Sequence, residues 1–450
     1  MKENGPQICV IGAGPSGITA AKNLRQAGLD KVVVLERSGR LGGNWVYDPK
    51  PGHSSVFETT HVISSKRLSE FLDYPMPKSY PDYPSHRQIL RYFEDYAAHF
   101  EVTPAIRFHA EVARATRRET GGWSIGLTGG EQIQCDYLLV ANGHHWDPRW
   151  PEYPGAFTGE SMHAHTFKSN RGFEGKRVLV IGGGNSGCDI AVETGRVSKR
   201  TVISFRRGYH FVPKIMFGRP SDRLNARLLW LPDRLRVALM ELSLRLLTGS
   251  PRKYGLQKPD HRLFETHPVV NSELLYYIRH GRVSPKGDIA GFDGKTVWFT
   301  DGSKEDFDVV IAATGYRIRF PFLDPGVAGW GDGAVPLYLK TIHPDYDDIF
   351  FIGLVQPAGC IWPLSDLQSR LATAAITGRW RRPADIKQRI EGEIGAADSA
   401  YVHTARHRIE VDYHRFRAAL ARELTWSHAY PRSRARWLLP GRKTERSDRF

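Results

Sequence analysis

Two stretches of the chain share one rhythm of apolar, small and polar positions. At 8–24, ICVIGAGPSGITAAKNL runs an apolar strand into a glycine turn and a helix start, and RVLVIGGGNSGCDIAVE at 177–193 repeats the pattern. A short continuous apolar run closed by glycine fits a strand buried on both faces, as in a parallel sheet covered by helices. A second apolar run follows each unit, KVVVLER at 31–37 and TVISFRR at 201–207. Strand, helix and strand in that order, twice, predict an α/β fold of two Rossmann-like dinucleotide-binding domains, each in three layers.

The remaining pattern fills in around these units. A helix is expected at about 86–99, and the proline and tyrosine density of YPMPKSYPDYPSH excludes one just before it. GGWSIGLTGGEQIQCDYLLVANG at 121–143 reads as a hairpin leading to a return strand. After FVPK, an arginine-rich helical insertion is expected at about 215–280, and DFDVVIAATGY at 306–316 crosses back to the first domain. The expected division is a discontinuous first domain, 1–168 and 309–385, around a second at 169–308, with a helical basic extension at 386–450.

Composition narrows the class. The 450 residues suffice for two domains, and 41% hydrophobic with 25% charged residues excludes a disordered or fibrous chain. The net charge of +15 invites an anionic partner, but no nucleic-acid motif accompanies it, so nucleic acid is not expected. Cys9, Cys135, Cys188 and Cys360 form no CxxC pair, which argues against a zinc cluster or a dithiol centre and fits the cytoplasm. No metal is expected. The start of the chain leaves no room for a signal peptide, and no apolar run is long enough to span a bilayer. The segment 224–249 reads as an amphipathic helix broken at Pro232, leaving peripheral membrane contact open, and the insertion could form an interface between two copies.

Chemistry enters at the turns. Gly12, Gly14 and Gly17, with Ala13, Pro15 and Ser16 between them, form GxGxxG, which lets a pyrophosphate approach free amides at a helix start. Glu36 stands 24 positions after Gly12, followed by Arg37, and a carboxylate there accepts ribose hydroxyls and repels a 2'-phosphate. The second turn has Gly182, Gly184 and Gly187 with Asn185 and Ser186, and at the same offset it carries Arg206 and Arg207. Guanidinium groups pair with phosphate, so the first clamp suits FAD or NAD and the second NADPH. A flavin and a nicotinamide dinucleotide in one chain imply hydride transfer between them.

Several segments then resemble one family. FTGESMHAHTF at 157–167 fits FxGxxxHxxx(Y/F), the identifying motif of the flavin-containing monooxygenases, and LGGNW at 41–45, LLVANGHH at 138–145, AATGY at 312–316 and FFIGLVQPAGCIWPLSDLQSRLA at 350–372 resemble further family segments. The resemblance spans roughly residues 7–380 and implies cofactor contacts at Gly43, Asn44, Trp45, Asn142, Gly143, Thr314, Gly315, Tyr316 and Gln368, with the Val112 backbone near the adenine. It implies a C4a-hydroperoxide formed on the reduced flavin from O2, whose terminal oxygen is taken by an amine nitrogen or a sulfide sulfur of a small molecule. Such an electrophile needs no catalytic triad, and His163 is expected to be structural.

Two features keep alternatives in view. The Baeyer–Villiger branch has tryptophan where this chain has Phe167, which favours N- and S-oxygenation. The family's asparagine beside the flavin aligns on Ile63, followed by Ser64 and Ser65, and isoleucine donates no hydrogen bond. Ser64 or His61 is the expected substitute. The rivals are a Baeyer–Villiger oxygenase acting on ketones and an uncoupled NADPH oxidase or redox sensor. Trp45, Tyr47, Tyr74, Tyr80 and Tyr83 are candidates to line a substrate approach.

Overall fold

The computed structural model describes residues 5–330, 334–401 and 409–426. Two five-stranded parallel sheets organise it. The first has the order Ile349–Phe351, Tyr137–Val140, Ile8–Ile11, Val32–Leu35, Ile106–Arg107. The second has the order Val283–Lys286, Arg200–Ser204, Arg177–Ile181, Val309–Ala312, Glu160–His163. The apolar runs that mark the strands are buried on both faces because each sheet lies between helices and an antiparallel three-stranded meander. Alternate residues divide between the layers. Ile8 and Val10 pack with the helix Pro15–Gln26, whereas Cys9 and Ile11 pack with the meander residues Trp123 and Ile125. In the second sheet Val178 and Val180 face the helix Asn185–Val197, and Leu179 and Ile181 face Val297 and Phe299.

Strand pairing corrects the expected boundaries. Glu160–His163 pairs with Val309–Ala312, which pairs with Val178–Ile181, so both belong to the second sheet. Boundaries at 168 and 309 would remove each from its partners. The chain instead passes between the sheets at 141–149 and 313–317, where Pro148 and Asp147 pair antiparallel with Tyr316 and Arg317.

The expected helix is His86–His99, opened by a capping box of Ser85 and Gln88. In the insertion, Pro232 separates the helices Ser221–Arg227 and Asp233–Thr248, since proline lacks an amide hydrogen and is tolerated only at a helix start. The extension forms Ile386–Ala400 and Tyr413–Trp426, and the most basic stretch, 432–450, lies outside the described residues. Among the described residues no helix is long and apolar enough to cross a membrane, no cluster of side chains could hold a metal, and all four cysteines are free and buried.

Candidate active site

The first turn is held by space as well as by conformation. Gly12 has φ +99°, and a Cβ there would lie 2.7 Å from the Ala141 carbonyl oxygen; a Cβ on Gly17 would lie 1.8 Å from that of Gly12. Helix Pro15–Gln26 begins at Gly14 with no side-chain cap and no acidic residue in its first turn, so its amides are left for an anion. Gly43 closes on Gly14, and the Gly42 amide donates to the Ala13 carbonyl at 2.9 Å. Glu36 is only 5% exposed, accepting from the Ala13 amide at 2.8 Å and from the Ser38 amide and hydroxyl at 2.9 and 2.8 Å. Three donors leave the carboxylate one further acceptor position, which fits a ribose hydroxyl. Arg37 beside it is exposed.

Other expected contacts surround this turn. Ala110 donates to the Glu36 carbonyl at 2.9 Å, bringing the strand that starts at Val112 to the ribose side. Asn142 and Gly143, the latter at φ +72° beside open space, follow the strand Tyr137–Val140. The Ser16 hydroxyl meets that of Ser365 at 2.9 Å. Gln368 departs from expectation. It is wholly buried, its Oε1 accepts from the Gly353 amide at 2.9 Å, and its Nε2 donates to the Leu339 and Lys340 carbonyls at 3.2 Å each. Its amide therefore holds backbone, including two residues in left-handed conformation at φ +48° and +51°, and is not presented to a ligand.

The second turn repeats the geometry in more open surroundings. Gly182 has φ +114°, with a Cβ position 2.5 Å from the Ala313 carbonyl oxygen, and that of Gly187 lies 1.9 Å from the Gly182 carbonyl oxygen. Gly184 precedes an uncapped helix, and Ser186 is exposed. The Asn185 side chain is turned aside, its Oδ1 accepting from the Val270 amide at 2.7 Å. Asp189, one turn on, accepts from Asn271 Nδ2 at 2.5 Å, and burial pushes its carboxyl up to about 6. Arg206 is exposed at the strand end, with no carboxylate partner among the described residues, and the Arg207 guanidinium lies 5.5 Å from the Tyr209 ring. Free guanidinium groups here and a buried carboxylate at the first turn fit NADPH and FAD respectively.

Between the clamps, Tyr316 and His163, both singled out in the sequence, come together with His145 and His165. The Tyr316 ring is packed by His145, His163 and His165 at 5.3, 5.5 and 5.8 Å, and burial raises its hydroxyl to about 12. His163 Nδ1 accepts from the His165 amide at 3.1 Å, and burial holds the imidazole down at about 4, so it is neutral and structural. Thr314 donates its hydroxyl to the Arg149 carbonyl, and Gly315, at φ +84°, borders open space. The loop 52–56 joins this crossing to the flavin-side turn. Asn44 Oδ1 accepts from the Ser55 amide and hydroxyl at 2.7 and 2.9 Å, while Lys168 Nζ donates to the Ser54 carbonyl at 2.5 Å and His165 Nε2 meets the Gly52 carbonyl at 2.8 Å. Lys168 and His165 stand next to or within the FxGxxxHxxx(Y/F) motif, the one signal that marked them.

The stretch at Ile63 offers less than expected. Ile63 is half-buried, the Ser64 hydroxyl turns inward to Ser69 at 2.8 Å, and His61 is exposed with Nδ1 on the Thr59 carbonyl at 2.8 Å. Neither expected substitute projects as a free donor, because the short helix Lys66–Ser69 draws Ser64 to its own side chains. Asp222 of the insertion accepts from the Ser65 amide at 2.5 Å. Of the aromatic candidates, Tyr74 belongs to a packed group with Tyr92 and Tyr96, Trp45 meets Trp362 edge-on at 5.5 Å, Tyr47 lies 5.1 Å from His86, and Tyr80 and Tyr83 pack against the flavin-side core.

The family model described as flavin-binding monooxygenase-like matches residues 5–427. This chain belongs to that family. The monooxygenase is 36% identical over 432 residues to flavin-containing monooxygenase 5 of Mus musculus, covering 90% of this chain and 80% of the relative. It is 32% identical over 416 residues to the N-oxide-forming dimethylaniline monooxygenase 2 of Oryctolagus cuniculus, covering 86% and 77%. Among solved structures it resembles S-allyl-L-cysteine S-oxygenase from Allium sativum, with a TM-score of 0.72, 24% identity and coverage of 94% and 89%. Cyclohexanone monooxygenase in its open form is similar at a TM-score of 0.71, 18% identity and coverage of 95% and 98%. These two likenesses concern the fold. The monooxygenase is an enzyme that uses FAD and NADPH, with dioxygen and a small molecule as substrates.

Proposed function

We propose that this monooxygenase transfers one oxygen atom to a soft nucleophile, an amine nitrogen or a sulfide sulfur, of a small molecule. One observation carries the choice within the family. Burial lowers His163 to about 4 and holds His165 below the ordinary imidazole range, and half-buried His145 meets Gln356, so the cluster offers a substrate only weak bases. A soft nucleophile needs none. The name of the N-oxide-forming relative supports the same reading.

In this reading Gly12 to Gly17 hold the pyrophosphate of FAD and Glu36 its ribose. Strand order supports the orientation: Glu36 ends the strand on one side of Ile8–Ile11, so the ring system extends to the other side, over the loops after Tyr137–Val140 and Ile349–Phe351. Gly182 to Gly187 hold NADPH, with Arg206 and Arg207 at its 2'-phosphate. When bound, NADPH supplies hydride and FAD the oxygen-activating chemistry. Asn44, Lys168, His165 and Tyr316 fix the crossing between the two. Four free thiols accord with the cytoplasm, and the insertion at 215–280 is where we place contact with anything larger than a substrate.

The test is rapid mixing. Enzyme reduced by NADPH without oxygen is mixed with aerated buffer containing a tertiary amine, a sulfide, a cyclic ketone or nothing. A transient near-ultraviolet band that decays faster with amine or sulfide is expected. Acceleration by the ketone alone would establish the Baeyer–Villiger alternative, and stoichiometric hydrogen peroxide in every mixture the uncoupled oxidase.

A further inference from the structure

Both polar atoms of the Gln368 side chain bond backbone, and that backbone belongs to two separate segments. Gln368 stands wholly buried in the helix Trp362–Ile376, where its Oε1 accepts from the Gly353 amide and its Nε2 donates to the Leu339 and Lys340 carbonyls. One segment leads to the first glycine turn. The other leads to the C-terminal extension.

The Gly353 side ends on the turn itself. Gly353 has φ +81°, and a Cβ there would lie 2.2 Å from the Ser16 hydroxyl oxygen and 3.2 Å from that of Ser365. Ser16 lies within GxGxxG, in the first turn of the helix Pro15–Gln26, and its hydroxyl meets Ser365 at 2.9 Å. With no space between them, the place of Gly353 sets the place of the Ser16 side chain. The bond from the Gly353 amide to Gln368 fixes that place, because a buried amide without an acceptor is costly.

The Leu339 side ends on the extension. Leu339 and Lys340 are buried and left-handed, a conformation that residues other than glycine keep only where their surroundings hold them. Gln368 holds the pair by their carbonyls. Glu393, of the helix Ile386–Ala400, holds it by the amide, accepting from Leu339 at 3.1 and 3.3 Å. Burial pushes the Glu393 carboxyl up to about 7, so this bond is made away from water, where it is strong. An unbroken series of hydrogen bonds thus runs from Glu393 through Leu339 and Lys340 to Gln368 and Gly353, and close packing carries it on to Ser16.

We propose that Gln368 and Glu393 are positioning residues for FAD, coupling occupancy of the first clamp to the docking of the helix Ile386–Ala400. A pyrophosphate that fixes the turn at Ser16 fixes Gly353, and through Gln368 it fixes the loop on which Glu393 closes. The coupling is reciprocal, so loosening the extension weakens FAD. The proposal rests on the assignment of the first clamp to FAD.

Full-length protein stripped of FAD and then reloaded is compared by hydrogen exchange, read by mass spectrometry. In wild type, reloading should slow exchange around Ser16 and also across 386–400. In Gln368→Met at saturating FAD, the slowing around Ser16 should remain and that across 386–400 should be lost, with FAD bound about tenfold more weakly. Glu393→Met should behave in the same way, and Glu393→Gln, which keeps an oxygen for the Leu339 amide, should restore both the affinity and the slowing. If Gln368→Met does not fold, the two Glu393 variants decide. Equal slowing across 386–400 in wild type and Glu393→Met, or none in wild type with FAD bound, overturns the coupling. Slowing by FAD at 182–187 with none at 12–17 removes the first-clamp assignment, and the proposal with it.

Discussion

Glu36 and Arg206 stand at the same offset from their glycine turns, yet one is buried and bonded while the other lies free at the surface. The Glu36 carboxylate is bonded to the Ala13 amide of the very turn that precedes it, so that clamp is set before any ligand arrives. Its helix is locked as well. Lys22 Nζ meets Asp366 at 2.8 Å with both side chains wholly buried, and Asn23 Nδ2 donates to the same carboxylate at 2.9 Å, fastening the helix to Trp362–Ile376. The second clamp has the same turn but leaves Ser186 and Arg206 to solvent. One turn geometry thus serves two purposes. Preset, enclosed contacts suit a cofactor that stays, and exposed cations suit one that must leave after each turnover.

The sharpest way to break that comparison is to fill both turns. A Cβ at Gly17 or Gly187 meets backbone at 1.8 or 1.9 Å, which cannot yield. Gly17→Ala should purify without FAD and with lowered thermal stability. Gly187→Ala should retain stoichiometric FAD, read from its visible absorbance, while its reduction by NADPH slows more than about a hundredfold, the loss of several contacts together. Loss of FAD from both would show that the clamps are not separate. A smaller effect separates the two ribose readers. Arg206→Ala should raise the Michaelis constant for NADPH about tenfold to a hundredfold and leave that for NADH unchanged, whereas Glu36→Ala should weaken FAD by a similar factor and leave NADPH alone. Equal effects of Arg206→Ala on both nicotinamides would remove the phosphate assignment.

The smallest effect concerns matched positions within the two helices. Thr19 bonds its own helix, donating to the Ser16 carbonyl at 2.9 Å, whereas Asp189 is a carboxyl raised by burial to about 6. A folded-state value above the unfolded one means that its contribution to stability is complete below about pH 4 and is lost as pH rises through about 6. Asp189→Asn should therefore gain stability over wild type by about 1 kcal/mol more at pH 8 than at pH 5. Denaturant unfolding at the two values reads the difference, and an unchanged gap would mean that Asp189 is solvated as an ordinary carboxylate.

The glycine turns, the alternation of apolar strand and helix, and the exchange of carboxylate for guanidinium at one offset were legible in the sequence, because each is a local pattern. Gly12 and Gly182 need positive φ whatever lies around them, and a short apolar run closed by glycine leaves few alternatives to a buried strand. Contacts between distant segments were not legible. The pairing of 160–163 with 309–312 moved two strands to the second sheet, and no residue in either strand announces its partner. Gln368 matched a family segment but turned its amide to backbone, and Ser64 turned to Ser69, since side-chain direction is settled by what packs beside it. The leucine spacing of 235–246 identified an amphipathic helix and no more. Periodicity shows that a helix has an apolar face, but only the neighbours that do or do not cover it determine whether that face becomes core or surface.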